Sequence, residues 1–73
     1  MSKYKAGDSV RVAGPVKYGG DWYDISTYGT VQLAYPGSAL VLLDYIAGDW
    51  GVHCIVRNKY ITINEEDYYN EAI

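Results

Sequence analysis

The sequence has no phenylalanine, and its 73 residues include one cysteine, one histidine and two prolines. The single Cys54 excludes a disulfide within the chain, and a small domain without such cross-links is typical of a reducing compartment. The longest uninterrupted apolar run, residues 39–43, is far below the ~18 residues that a membrane-spanning helix needs. Since no signal-peptide or lipidation pattern is present either, we expect a soluble cytoplasmic protein that does not bind a membrane.

An excess of positive charge is also missing. The formal net charge is -3, and four of the nine acidic residues lie near the C-terminus: Glu65, Glu66, Asp67 and Glu71. The other five acidic residues nearly balance the six lysines and arginines, so no part has the basic surface typical of nucleic-acid-binding proteins. We therefore divide the chain into a single domain, residues 1–64, and an acidic tail, residues 65–73. In the tail we expect a short helical turn or a frayed end.

The apolar pattern consists of short alternating segments separated by glycine-rich turns, which predicts an all-β domain. Gly14-Pro15 is expected to end the first strand. The order of strand and turn segments along the chain predicts a small five-stranded antiparallel barrel with a long first hairpin loop. It also predicts a short 3₁₀ turn at residues 57–59. The predicted strands are residues 9–13, 29–35, 39–45, 50–56 and 60–63.

Within the first loop, Gly19-Gly20 indicates a two-residue hairpin turn, because both glycines can adopt positive φ. Such a turn pairs Tyr18 with Asp21, Lys17 with Trp22 and Val16 with Tyr23. Alternation then directs the side chains of the hairpin to two opposite faces. The side chains expected to face the core are Val16, Tyr18, Tyr23 and Ile25. Those expected to face outward are Lys17, Trp22 and Asp24. Trp22 is therefore expected to be exposed beside Lys17.

Three segments make the chain resemble the Src-homology-3-like group of small β-barrels, which includes small phage and prophage proteins. They are Gly7-Asp8-x-Val10-x-Val12, Gly29-x-Val31, and Val56-Arg57-Asn58-Lys59-Tyr60-Ile61. The last is similar to the 3₁₀ turn and tyrosine before the final strand of signalling members. The resemblance implies a barrel, protein binding and a bacterial or phage origin.

The chain lacks the aromatic-rich N-terminal motif of the signalling members and the proline of their 3₁₀ turn, so the resemblance does not imply proline-rich ligands. The glycine-valine spacing also resembles the KOW-type subgroup, which implies RNA or ribosomal contacts. That subgroup's basic surface is absent from this sequence.

Catalysis and metal binding have little support in the sequence. His53 and Cys54 are adjacent, but neighbours on a strand point to opposite faces and cannot act as a nucleophile-base pair. Cys54 shares its predicted face with Val52 and Val56, which indicates a small core residue. One histidine and one cysteine cannot form a tetrahedral zinc site, so we expect no enzyme activity, no metal and no cofactor.

Aromatic residues are the remaining signal, with nine tyrosines and two tryptophans. In one interpretation the tyrosines only cover the rim of a small barrel. In the other, Trp22, Trp50 and Tyr60 line one groove between the first loop and the 3₁₀ turn, with Lys17 and Tyr18 at its edge. This predicts a non-enzymatic protein-binding adaptor that is monomeric or a weak dimer.

Two alternatives remain open. Direct nucleic-acid binding would use the exposed rings with Lys3, Lys5, Arg11 and Lys17. The acidic tail has two interpretations. In the favoured one it is a solvated terminus, and in the other it presents negative charge to a basic, nucleic-acid-binding partner, as a mimic of nucleic-acid phosphate or an inhibitor.

Overall fold

The fold was analysed in a computed structural model that describes residues 4–63, which form one antiparallel sheet with strand order β4-β3-β2-β1-β5. The acidic tail and its expected helical turn lie outside these residues. The elements are β1 Ser9–Tyr18, β2 Asp21–Ala34, β3 Ser38–Ile46, β4 Asp49–Arg57, a 3₁₀ turn Asn58–Tyr60, and β5 Ile61–Ile63. An all-β antiparallel fold of five strands is thus confirmed. Among these residues no ladder joins β4 to β5, so the predicted barrel is not closed.

The hairpin of β1 and β2 is longer and more regular than predicted. Its ladder runs from Ser9 opposite Thr30 to Tyr18 opposite Asp21, and it includes all three predicted pairs. The turn glycines have φ of 61° and 86°, as a two-residue turn of this type requires.

The predicted end of the first strand at Gly14-Pro15 is wrong, because β1 continues through both residues and joins the predicted hairpin into one ladder. Strand β5 pairs only with the segment from Val10 to Val12. Beyond Val12, β1 has one ladder neighbour, and proline is tolerated there because an edge position needs no N–H donor.

A bulge reverses the predicted facing of β2. The register with β3 shifts between Val31 and Leu33. An extra residue in one strand moves the following side chains to the other face. Val31 is therefore buried as predicted, whereas Leu33 is exposed and Ala34 packs against the core. The sequence predicts that Val31, Leu33 and Tyr35 alternate strictly with their neighbours, and this alternation is wrong beyond Val31.

Strand β4 confirms the opposite facing of His53 and Cys54, since Cys54 is buried and His53 is exposed. Val56 is buried and Val52 packs against the core, but Trp50 does not share their burial and is 78% exposed. Gly51 has φ of 66°, and a residue in this conformation interrupts the alternation of a strand.

The core consists mainly of valines from four strands. It also contains Tyr4, which the sequence pattern did not identify and whose hydroxyl donates to the Ile61 carbonyl oxygen at 2.5 Å. Ile61 is buried as predicted, but Ile63 is 43% exposed. Within residues 4–63 no helix is long and apolar enough to cross a membrane. The largest fully buried side chains are Leu43, Ile46, Val10, Val12, Val16, Val31, Val41 and Val56.

Candidate functional site

A cleft of about 290 Å³ lies between the β1–β2 hairpin and the 3₁₀ turn. Four residues line it: Pro15 from β1, Trp22 from β2, Arg57 from the end of β4 and Tyr60 from the 3₁₀ turn. Two aromatic rings, a proline ring and a guanidinium group therefore meet at one concave surface. The cleft lies beside the part of β1 that β5 does not cover.

Trp22 is held in the cleft by the hairpin turn. It is the second residue of β2, lies directly opposite Lys17 and is 63% exposed. Pro15 pairs with Asp24 two positions away, so Pro15 and Trp22 are diagonal neighbours on the outer face of the hairpin. A tryptophan on a regular ladder next to a two-residue turn has little backbone freedom, and its ring is presented to solvent in a fixed direction.

Tyr60 is held in the cleft by its contact with Gly14. A Cβ atom at position 14 would lie 2.7 Å from the Tyr60 Cγ atom, so the ring occupies the space that a side chain would fill. The ring is half-buried and packs against the core. The Lys59 Nζ atom lies 5.1 Å from its centroid, within the range of a cation–π contact.

Arg57 gives the cleft a positive charge. It is exposed at the end of β4, and it directly precedes the 3₁₀ turn that carries Lys59 and Tyr60. Lys17 adds a further cation opposite Trp22. Two exposed acidic residues of β2 lie nearby: Asp24, which pairs with Pro15, and Asp21, which directly precedes Trp22.

Of the predicted residues, Trp22 and Tyr60 line the same cleft, and Lys17 pairs with Trp22 on the hairpin ladder without lining the cleft. Tyr18 instead faces the core side of the hairpin and donates from its hydroxyl to Asp49 Oδ2 at 2.6 Å. This hydrogen bond to a carboxylate raises the pKa of the Tyr18 phenol. Trp50 does not line the cleft; its ring packs edge-on against Tyr45 with centroids 4.7 Å apart.

Sequence reasoning missed two cleft residues, Pro15 and Arg57. Pro15 was treated as a strand breaker, although the alternation that directs Lys17 and Trp22 outward also directs Pro15 outward. The sequence predicts Arg57 at the start of the 3₁₀ turn and on the outward face of the fourth strand, but assigns it to no site. Its position after His53 and Ile55 on the exposed face of β4 was the available signal.

The cleft contains no nucleophile paired with a base. Cys54 is buried, and burial raises the pKa of its thiol, while His53 faces solvent on the other side of β4. In the described part of the chain no three His, Cys, Asp or Glu side chains are close enough together to bind a metal ion. The chemistry that the cleft offers is therefore contact with rings and with a cation.

Comparison with known proteins gives no match to any family model, any curated protein or any solved structure.

Proposed function

We propose that this protein is a small non-enzymatic protein-binding adaptor and that the cleft of Pro15, Trp22, Arg57 and Tyr60 docks a peptide segment of its partner. One observation carries the proposal: Trp22 is 63% exposed on a regular hairpin and shares a cleft with the ring of Tyr60. Exposing a tryptophan on a small domain has a cost in solubility, which a contact role explains. Tryptophan, tyrosine and arginine are also the residues that most often dominate binding at protein interfaces.

The size and lining of the cleft support a peptide. A volume of about 290 Å³ is just below the ~300–1,000 Å³ typical of ligand pockets. Such a cleft takes one or two side chains rather than a large cofactor. The rings of Pro15, Trp22 and Tyr60 offer apolar surface, and Arg57 offers hydrogen-bond donors at the same place.

The fold that we propose is an opened member of the Src-homology-3-like group. A long second strand, a 3₁₀ turn before the last strand and a cleft between the first hairpin and that turn support this assignment. The sheet is open between the outer strands β4 and β5, which no ladder joins within residues 4–63.

Nucleic-acid binding is the second candidate, since Trp22 and Tyr60 offer rings for base stacking and Lys17 and Arg57 offer contacts to phosphate. It is less favoured because a chain of net charge -3 neutralises few phosphates.

The test is affinity capture from bacterial lysate by wild type, Trp22→Ala and Trp50→Ala, each with and without nuclease. Trp50→Ala is the matched control, because Trp50 is also exposed but lies outside the cleft. We expect partner proteins to be captured by wild type and Trp50→Ala, to persist after nuclease treatment and to be lost with Trp22→Ala. The thermal midpoint of Trp22→Ala should stay close to that of wild type.

Two results would contradict the adaptor. Capture that nuclease abolishes would assign the cleft to nucleic acid. A large drop in the thermal midpoint of Trp22→Ala would show that Trp22 is a structural residue, and its exposure would then carry no functional argument.

A further inference from the structure

Positive charge is concentrated around the cleft although the chain as a whole is acidic. Three cationic residues belong to its surroundings: Arg57 lines it, Lys17 lies opposite Trp22, and Lys59 has its Nζ atom 5.1 Å from the Tyr60 ring centroid. The formal net charge of the chain is -3. Two exposed acidic residues of β2, Asp21 directly before Trp22 and Asp24 opposite Pro15, offset part of the positive charge around the cleft, so the local excess of positive charge is one.

These cations are not neutralised by the rest of the fold. In residues 4–63 none of Lys17, Arg57 and Lys59 forms an ion pair or a side-chain hydrogen bond. By contrast, the guanidinium of Arg11, which lies outside the cleft, donates to Ser26 Oγ at 3.0 Å. Asp24 is exposed opposite Pro15 and reduces the positive field, but it is not paired with any of the three cations. The donors of Arg57 therefore remain free for a ligand.

We propose that the peptide docked in this cleft is acidic. One of its carboxylates accepts hydrogen bonds from the Arg57 guanidinium, which can donate two parallel hydrogen bonds to a carboxylate. A neighbouring apolar residue of the peptide contacts the rings of Trp22 and Tyr60. Lys17 and Lys59 attract further carboxylates on either side. This inference rests on the proposed peptide-binding function and specifies the chemistry of the ligand.

Charge complementarity favours a partner's acidic segment over nucleic acid. A carboxylate peptide needs one bidentate contact and a small apolar contact, which four lining residues can supply. Tight nucleic-acid binding needs many phosphate contacts along an extended basic surface. Residues 65–71 of this chain carry similar acidic chemistry, so the chain's own tail is the competitor that the experiment must separate from a partner.

The experiment is selection of random peptides displayed on phage against the full chain, and its readout is the net charge of the enriched peptides. Selections run in parallel on wild type, Trp22→Ala, Arg57→Gln and the matched control Arg11→Gln, which removes an exposed arginine outside the cleft. A truncated chain ending at residue 63 is included. Circular dichroism and thermal melting establish that each variant is folded. Enriched peptides are synthesised, and their Kd is measured at low and high salt.

We expect enriched peptides with an excess of Asp and Glu and at least one apolar residue. Trp22→Ala should abolish their binding, and Arg57→Gln should weaken it by about tenfold or more, as loss of a charge-assisted hydrogen bond implies. Arg11→Gln should have little effect, and added salt should weaken binding.

Each contrary result has a distinct meaning. Peptides that need Trp22 but are neutral or basic would overturn the acidic ligand and leave the adaptor intact. No enrichment on wild type or on the truncated chain, relative to Trp22→Ala, would overturn both proposals. Enrichment only on the truncated chain would assign the cleft to the chain's own tail. If a thymidine oligonucleotide bound with the same dependence on Trp22 and Arg57 and no peptide did, the cleft would be a nucleic-acid site.

Discussion

The ring of Tyr60 lies against the backbone of Gly14, in the space where any other residue would place its Cβ atom. That atom would be 2.7 Å from Tyr60 Cγ, and the φ of Gly14 is 146°, which other residues rarely adopt. The contact joins the middle of β1 to the 3₁₀ turn. Because the Tyr60 ring lines the cleft, Gly14 determines the position of this side of the cleft.

Gly14→Ala should therefore damage both the fold and the cleft. The methyl group displaces the Tyr60 ring and strains the backbone, and overpacking of this kind costs about 1–3 kcal/mol. We expect a lower urea midpoint and weaker binding of any ligand that also requires Trp22. Equilibrium unfolding and binding measured on the same preparation check both effects.

The Tyr60→Ala background separates the clash from the backbone strain. Without the ring, the additional cost of Gly14→Ala should fall, giving a coupling energy between the two sites. Gly37→Ala is the matched control, because a Cβ atom there meets nothing within 4 Å. Equal costs of Gly14→Ala in both backgrounds would show that the ring does not define this position.

Local pattern was sufficient to predict the first hairpin and one part of the site. Two adjacent glycines determine the turn, and period-two alternation then determines that Trp22 is exposed next to Lys17. The burial of Cys54 followed from the same rule applied to β4. These features depend on interactions between residues close in sequence.

Features that depend on the neighbouring strand were not predictable. A proline interrupts a strand that has a paired strand on both sides, but an edge position tolerates it. Pro15 is at an edge because β5, which lies far away in sequence, pairs with β1 only at Val10 to Val12. The bulge after Val31 and the positive φ of Gly51 shift facing without a clear residue signal. Trp50 packs on Tyr45 instead of joining Trp22 because the β3–β4 ladder pairs the two residues, at the end of β4 away from Arg57.

The hydrogen bond between Tyr18 and Asp49 predicts a pH dependence of stability. The bond to the Asp49 carboxylate raises the folded-state pKa of Tyr18 above its ordinary value of about 10. Its contribution is fully present below the unfolded-state pKa and is lost as the pH rises through the folded-state pKa. The stability advantage of wild type over Tyr18→Phe should therefore hold up to about pH 10 and shrink as the pH rises further.

Urea unfolding at a series of pH values measures this difference. Tyr28→Phe is the control, since the exposed Tyr28 forms no side-chain hydrogen bond within residues 4–63. It should leave the alkaline slope of wild type unchanged. Parallel curves for wild type and Tyr18→Phe would show that the bond to Asp49 does not contribute in solution.

Cys54 should be chemically inert in the folded protein. It is buried opposite Val41, and burial raises the pKa of its thiol, which lowers the thiolate fraction at neutral pH. We expect modification by Ellman's reagent to be more than about tenfold slower than in the urea-unfolded chain, because it requires opening of the sheet.

A relocated thiol provides the comparison for this rate. The double variant His53→Cys with Cys54→Ala moves the thiol to the neighbouring exposed position of β4. It should react quickly without denaturant. Rapid reaction of wild-type Cys54 under native conditions would mean that β4 opens readily.

The turn between β3 and β4 contains a correctable strain at Ala47. Ala47 has φ of 51° and Gly48 has φ of 89°, and both lie between the paired residues Ile46 and Asp49. A two-residue turn with positive φ at both positions favours asparagine before glycine, and the left-handed conformation costs alanine about 1–2 kcal/mol. Ala47→Asn should thus raise the unfolding free energy by about 0.5–1 kcal/mol.

Ala47→Gly should raise the unfolding free energy less, because glycine also gains freedom in the unfolded chain. Ala47→Val should lower it, since a β-branched residue tolerates positive φ poorly. Urea denaturation of the four proteins gives this order directly, and a valine variant as stable as the asparagine variant would show that the turn adopts another conformation in solution.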